Sequence, residues 1–451
     1  MQRTLNNELS THVGETVLIN GWVSVRSDQG KMVFFDFRDR TGTVQGVVLP
    51  GSEAIDTAKE CRTQYVVEVT GVVNKRPEKN VQADKLNGDI ELQIEKIVVL
   101  SAAEPLPFDL TAELNLETHL DNIPLTIRTE RSRDIFTLQA SLSQAYREAL
   151  ISRGFTEFQA PALVGGDAEG GSSVFKVDYY YDTKAYLATS PQLYKQIMIG
   201  AFERVFTIAK IFRAEKSATT RHLSELTQMD FEMGFINNEH DVMNMLGDVV
   251  RDVVTGLTKH ADIFARFNTS IPLAPATFPT LTLREAQTII KGVFGRDQSG
   301  EDDMSPEDER QICEWALKEH RSDFVFITRY PTAVRAFYTY EDAAEKPNSR
   351  GFDLLFRGLE INSGAQRIHN HDDLVARIKE RGMDPKKFEF YLQAFKYGMP
   401  PHGGCSTGLE RLTARMLELK NVKEASAFPR DMTRIDTRLF DENDASLDST
   451  I

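Results

Sequence analysis

A chain of 451 residues is too long for one ordinary hydrophobic core, so two or three domains are expected. With 41% hydrophobic and 27% charged residues and no apolar run of 18, the composition is that of a globular protein without a membrane-spanning helix. The polar start Met1-Gln2-Arg3-Thr4 carries no apolar signal segment, and Cys61, Cys313 and Cys405 form no CxxC pair; the expectation is a reduced, cytoplasmic protein with neither disulfide framework nor structural zinc. The net charge of −14 argues against a nucleic-acid binder as a whole. Residues 1–103, however, hold 12 Lys+Arg against 14 Asp+Glu, a net of −2, which leaves room for a local basic stripe from Arg26, Lys31, Arg38, Arg40, Lys75, Arg76 and Lys79.

Residues 1–103 read as short strands. Val17-Leu18-Ile19 leads into Gly21-Trp22-Val23, residues 31–37 alternate, a β-branched run lies at 65–69, and residues 90–99 alternate again, with turns at 28–30, 40–42 and 87–89. That spacing suggests a small barrel. In the second strand Val33, Phe35 and Phe37 share the core face, which leaves Phe34 beside Met32, Asp36 and Arg38, placed either to stack on a base or to sit under a loop. Residues 104–130, interrupted by Pro105, Pro107 and Pro124, read as a hinge. Ile135, Leu138, Leu142, Tyr146, Ala149 and Leu150 recur at helical spacing up to Gly154. Strand-like runs follow at 186–188, 204–211, 229–235, 324–327, 336–340 and 352–363, and helical ones at 191–199, 240–257, 307–319 and 409–419. The order is not that of a doubly wound sheet. It predicts an α+β domain, a largely antiparallel sheet with helices packed on it.

Three stretches carry chemistry. In Phe212-Arg213-Ala214-Glu215, the Arg and Glu two apart on a strand point the same way, one suited to a phosphate and the other to a base amino group. Thr219-Thr220-Arg221-His222 and Gln228-Met229-Asp230-Phe231-Glu232 follow it. In Gly403-Gly404-Cys405-Ser406-Thr407-Gly408-Leu409-Glu410-Arg411, small residues admit a flat ligand, and Arg411 on the first helical turn can hold a phosphate. In Gly358-Leu359-Glu360-Ile361-Asn362-Ser363-Gly364-Ala365-Gln366-Arg367, Glu360 and Ser363 offer hard oxygen ligands for Mg2+, and Arg367 can clamp a carboxylate. Taken singly, each reads equally well as a surface ion pair, a plain turn or a strand edge.

Together they resemble the class II aminoacyl-tRNA synthetases. Gly154-Phe155-Thr156-Glu157-Phe158-Gln159-Ala160-Pro161 is similar to motif 1, Phe212-Arg213-Ala214-Glu215 to motif 2, and Gly408-Leu409-Glu410-Arg411 to motif 3. Gly21-Trp22-Val23, residues 38–45 and Phe428-Pro429-Arg430-Asp431 resemble the aspartyl, asparaginyl and lysyl subgroup. The resemblance implies an N-terminal five-stranded OB-fold β-barrel over 1–103 that reads the anticodon, a hinge over 104–130, and a class II catalytic domain over 131–451 that dimerises through motif 1. It also implies use of ATP and Mg2+.

Ser190-Pro191-Gln192-Leu193-Tyr194-Lys195-Gln196 and Ser363-Gly364-Ala365-Gln366-Arg367 resemble the aspartyl pattern, in which Lys195 and Arg367 neutralise the side-chain carboxylate of L-aspartate. Asparaginyl enzymes usually carry an apolar residue at the Lys195 position, because a buried Lys facing a neutral amide is costly. By the same resemblance Glu169 belongs to a loop closing over the amino acid, Gln192 and Asp230 hold its ammonium, and Ser363 serves both this pocket and, with Glu360, magnesium. Arg213 holds the α-phosphate, Glu215 meets adenine, and His222 and Arg411 reach the outer phosphates, so that Arg213 and Arg411 carry most of the catalytic charge. Phe34, Gln45 and Glu91 read anticodon bases. The implied products are aspartyl-adenylate and then aspartyl-tRNA(Asp). Whether tRNA(Asn) is also charged falls to the OB-fold loops, where Lys79 favours the discriminating type. The rivals are an asparaginyl enzyme, a tRNA-independent amide-forming relative and a non-catalytic paralogue. Three positions depart from the family pattern: Ser406 stands where motif 3 usually has glycine, adding a Cβ beside the ATP floor, Cys405 stands where a larger apolar residue or glycine is usual, and Ala168 precedes Glu169 where Thr is usual.

Overall fold

The computed structural model describes residues 1–83, 85–166, 173–216 and 219–439. The chain forms two units, Met1–Ala112 and Glu113–Ile451. In the first, β1 (Thr16–Gln29), β2 (Met32–Arg38), β3 (Thr43–Val48), helix α1 (Ile55–Glu60), β4 (Val66–Lys75) and β5 (Ile90–Ser101) follow one another, and the strands close into a barrel in the order β1-β2-β3-β5-β4. Strict alternation drives the closure. Val33, Phe35 and Phe37 point inward and are buried, the two rings stacking at 5.2 Å. Asp36 pairs with Gln45, and Gly46 with Leu92. That register sets Phe34, Gln45 and Glu91 together on the outward face, each half-buried.

The second unit opens with α2 (Leu116–Asp121), α3 (Ile123–Thr126) and α4 (Glu130–Ile151), then β6 (Thr156–Glu157) and a small sheet of β7 (Leu163–Val164), β8 (Lys176–Asp178) and β9 (Lys184–Leu187). Next come α5 (Gln192–Phe202), β10 (Arg204–Phe212), β11 (Glu225–Gly234), α6 (Glu239–Gly256), α7 (Ala261–Arg266), β12 (Thr280–Thr282), α8 (Leu283–Phe294), α9 (Pro306–His320) and β13 (Phe324–Thr328). The unit ends with β14 (Gly351–Phe356), β15 (Leu359–Gln366), α10 (His371–Glu380), α11 (Glu389–Lys396), β16 (His402–Gly408) and α12 (Leu409–Met416). Its main sheet runs β12-β13-β14-β15-β16-β11-β10-β6, antiparallel except at its two edge pairs. The residues spaced at three and four in α4 are the ones it buries, against the back of this sheet together with α6 and α12. Each such leucine contributes about 2 kcal/mol through removal from water. Thr129 starts the helix by accepting the Ser132 N–H.

Three expectations change. Residues 336–340 form no strand: Phe337 and Tyr338 are buried in an aromatic cluster with Tyr391 and Phe395, and only Thr339 bridges to Arg367. Their apolar run reflects packing, not a ladder. Residues 352–363 are two strands, reversed at Arg357 and Gly358, both with positive φ (45° and 81°). Within the expected hinge, α2 and α3 are helical. Pro124 lies in the first turn of α3, where its missing N–H costs nothing, and Asn115 caps α2.

Candidate active site

The front of the main sheet gathers the polar residues because its register aligns them. Thr207, Asp230, Ser406, Ser363 and Asp353 stand directly opposite one another across β10, β11, β16, β15 and β14. Glu360 would face the core if β15 ran on unbroken. Between the pairs Leu354–Asn362 and Leu355–Glu360, however, one extra residue, Ile361, bulges out of β15. The bulge turns Glu360 to the same face as Ser363.

Arg213, His222, Glu360, Ser363 and Arg411 line one cavity of about 220 Å³, with Arg221, Gln228 and Ser406. Three arginines, Arg213, Arg221 and Arg411, in its lining make it suited to a polyanion. Arg411 sits on the first turn of α12, its Nη1 3.4 Å from the Glu360 carbonyl oxygen. Its neighbour Glu410 turns the other way and accepts the Thr227 backbone N–H at 2.9 Å, tying α12 to β11. Glu215 is exposed and lies outside this lining, 3.9 Å from Arg213 and 3.8 Å from His222. Burial pushes the Glu360 carboxyl up to about 7; the Asp353 charge adds to this and Arg411 opposes it. Part of Glu360 stays open to the cavity. Asp353 is held by Arg335 through hydrogen bonds of 2.9 and 2.6 Å, and Arg335 also donates to Ser363 Oγ at 3.1 Å.

Beside the cavity lies a buried charge cluster. Helix α5 places Gln192, Lys195, Gln196 and Ile199 on one inward face. Lys195 has no exposed surface; its Nζ donates to Asp230 Oδ2 at 2.8 Å and to the Cys405 carbonyl at 3.1 Å, and lies 3.3 Å from Glu232 Oε2. Arg367 donates from Nε to Glu232 Oε1 at 3.0 Å and from Nη2 to the Gly404 carbonyl at 2.8 Å. Glu232 thus lies between the two cations. Burial pushes its pKa up, but the Arg367 and Lys195 charges outweigh that and hold it below the usual carboxylate range. Ser406 joins cluster to cavity: its hydroxyl donates to Asp230 Oδ1 at 2.7 Å, so the extra atoms of this serine are engaged with the cluster.

The expected residues therefore fall in three places. Arg213, His222, Glu360, Ser363 and Arg411 line the cavity, with Glu215 exposed outside it; Gln192, Lys195, Asp230 and Arg367 form the buried cluster beside it; Phe34, Gln45 and Glu91 lie on the barrel. Glu169 lies outside the described residues. Sequence reasoning gave no role to Glu232, Asp353 or Arg335. A signal existed for Asp353, a lone carboxylate in the apolar strand Gly351–Phe356.

Residues 115–432 match the family described as tRNA synthetases class II (D, K and N), and residues 17–100 match the OB-fold nucleic acid binding domain. The Deinococcus radiodurans protein named aspartate–tRNA(Asp/Asn) ligase is 42% identical over 450 residues, covering 96% of this chain and 99% of that one. The Pyrococcus horikoshii aspartate–tRNA(Asp) ligase is 38% identical, covering 95% and 98%. Among solved structures, the P. horikoshii asparaginyl-tRNA synthetase complexed with asparaginyl-adenylate superposes with a TM-score of 0.87 at 33% identity, covering 94% of this chain and 97% of that one. With a front-face cavity lined by arginines, a buried charge cluster beside it and these full-length relatives, the chain belongs to the class II tRNA synthetases of the D, K and N group.

Proposed function

We propose that the chain is an aspartate–tRNA ligase. The observation that carries this reading is the buried pair Lys195 and Arg367, two cations sharing Glu232 beside the arginine-lined cavity. The cluster holds two cations and two carboxylates. An aspartate side-chain carboxylate finds Lys195 and Arg367, and its ammonium finds Asp230 and Gln192. An asparagine amide brings no charge to these cations and forfeits the charge-assisted pairing of an aspartate carboxylate, a difference of about 2–5 kcal/mol.

ATP enters the cavity, where Arg213 neutralises the α-phosphate and His222 and Arg411 take the outer phosphates. An oxygen of the aspartate α-carboxylate attacks the α-phosphorus, the bond to the bridging oxygen breaks, and pyrophosphate leaves. The 3′-terminal hydroxyl of tRNA(Asp) then attacks the acyl carbon, and AMP departs. Positioning and charge neutralisation supply the catalysis; no side-chain nucleophile is needed. Mg2+ suits the oxygens of Glu360 and Ser363, with Asp353 beside them. When bound, it adds positive charge at the phosphates.

Phe34, Gln45 and Glu91 present a stacking ring and two hydrogen-bonding groups to anticodon bases. The motif 1 segment 154–161 forms a homodimer. No helix among the described residues is long and apolar enough to cross a membrane. Charging of tRNA(Asp) and tRNA(Asn) transcripts with labelled aspartate tests the reading. Aspartyl-tRNA(Asp) is the expected product, and absence of product with the tRNA(Asp) transcript would overturn it. Product with both would place this chain with the Asp/Asn type of its Deinococcus relative.

A further inference from the structure

A chain of buried neutral groups runs from the amino-acid cluster to the loop before β16. His402 Nδ1 lies 2.8 Å from the Pro400 carbonyl oxygen, and His402 Nε2 lies 2.9 Å from Gln196 Nε2. Gln196 Oε1 accepts from Gln192 Nε2 at 2.9 Å and from the Tyr391 hydroxyl at 3.1 Å. Gln192, Gln196, Tyr391 and His402 are each 3% exposed or less.

The direction of every bond in this chain follows from one end. A proline carbonyl can only accept, so His402 Nδ1 carries the proton. In the neutral ring Nε2 is then bare and must accept, so Gln196 turns its amide nitrogen to the histidine. Its carbonyl oxygen is left for Gln192, which must donate. Gln192 therefore spends its amide nitrogen on the chain, and among the described residues its carbonyl oxygen accepts no hydrogen bond. Burial holds His402 neutral by pulling it down to about 4. A proton on Nε2 would turn Gln196 over, and Gln192 with it.

We propose that Gln196 and His402 are positioning residues for the amino-acid site, their one-way chain fixing Gln192 with its carbonyl oxygen, and not its amide nitrogen, toward the substrate ammonium. This rests on the reading of Gln192 as an ammonium ligand. A carbonyl oxygen attracts a cation, whereas an amide N–H repels it, so loss of orientation should weaken amino-acid binding and leave ATP untouched.

The test is ATP–pyrophosphate exchange with Q196M, H402F and the double variant Q196M/Q192E. Each single variant should raise KM for aspartate about tenfold, the worth of one charge-assisted hydrogen bond, with KM for ATP unchanged. A carboxylate presents oxygen whichever way it turns, so Q192E added to Q196M should recover at least about threefold of the loss. An unchanged KM for aspartate, an equal rise for ATP, or no recovery in the double variant would overturn the proposal. For a readout independent of folding in the variants, 15N shifts of the His402 ring in the unaltered protein should report a protonated Nδ1 and a bare Nε2. The opposite tautomer would overturn the proposal on its own. Failure of the unaltered protein to exchange with aspartate would instead sink the functional reading, and is distinguishable for that reason.

Discussion

Lys195 is a fully buried ammonium with two carboxylates and a carbonyl as partners, and Arg367 approaches the same Glu232 from the other side. Removing one member of such a cluster leaves the others as uncompensated buried charge, costing about 3–5 kcal/mol. K195L should therefore lower the melting temperature and raise KM for aspartate by about 100-fold or more, with ATP binding retained; exchange kinetics and a thermal melt check both. Near-normal aspartate kinetics in K195L would contradict the assignment. Glu360 gives a pH prediction of definite sign. Its folded value of about 7 lies above the ordinary 4.5, so between those values the folded state holds a proton that the unfolded state has lost. Its contribution to stability is present below 4.5 and is lost as pH rises toward 7. In chelator, E360Q should keep its melting temperature over this range while the unaltered protein loses several degrees relative to it. Lys195 and Arg367 were legible in the sequence because a family pattern surrounds them. Glu232 and Arg335 were not, because only the folded register shows which charge answers which.

At the scale of elements, glycine in β16 decides how closely charge can be packed. A Cβ at Gly404 would stand 2.2 Å from Glu232 Oε2 and 2.2 Å from the Phe231 carbonyl oxygen. The second contact is with backbone and cannot swing away, so G404A should destabilise the protein by about 1–3 kcal/mol. It should also weaken aspartate binding by moving Glu232; melting temperature and KM check the pair of effects. Elements with a strong period were legible: α4 was read from its apolar spacing, and the β2 alternation from Val33, Phe35 and Phe37. Helices α1, α2, α3, α7, α8, α10 and α11 were missed. For α8 a signal was present, since Thr282 and Glu285 form a capping box. The bulge at Ile361 had no local signal, because apolar and polar neighbours look alike whether or not a residue is inserted; yet it decides which way Glu360 points.

The whole molecule divides the proposed work between its two units. Among the described residues, those that line the arginine-rich cavity all belong to the second unit, so amino-acid activation and tRNA reading should separate on mutation. F34A should weaken tRNA binding by about 1–3 kcal/mol, the worth of one stacked base, and leave tRNA-independent exchange unchanged. Filter binding and exchange on the same preparation check this. The architecture was legible as a small barrel and a largely antiparallel sheet with helices, because alternation in the first unit and helix spacing in the second survive without any partner, while the count of five strands came with the family resemblance.

The most direct test of the account is ATP–pyrophosphate exchange with the purified protein, offered aspartate, asparagine and lysine in separate reactions. The charge cluster of Lys195, Arg367, Asp230 and Glu232 predicts exchange with aspartate alone. Exchange with asparagine in place of aspartate would contradict it, since that result would mean the two buried cations do not meet the substrate side chain.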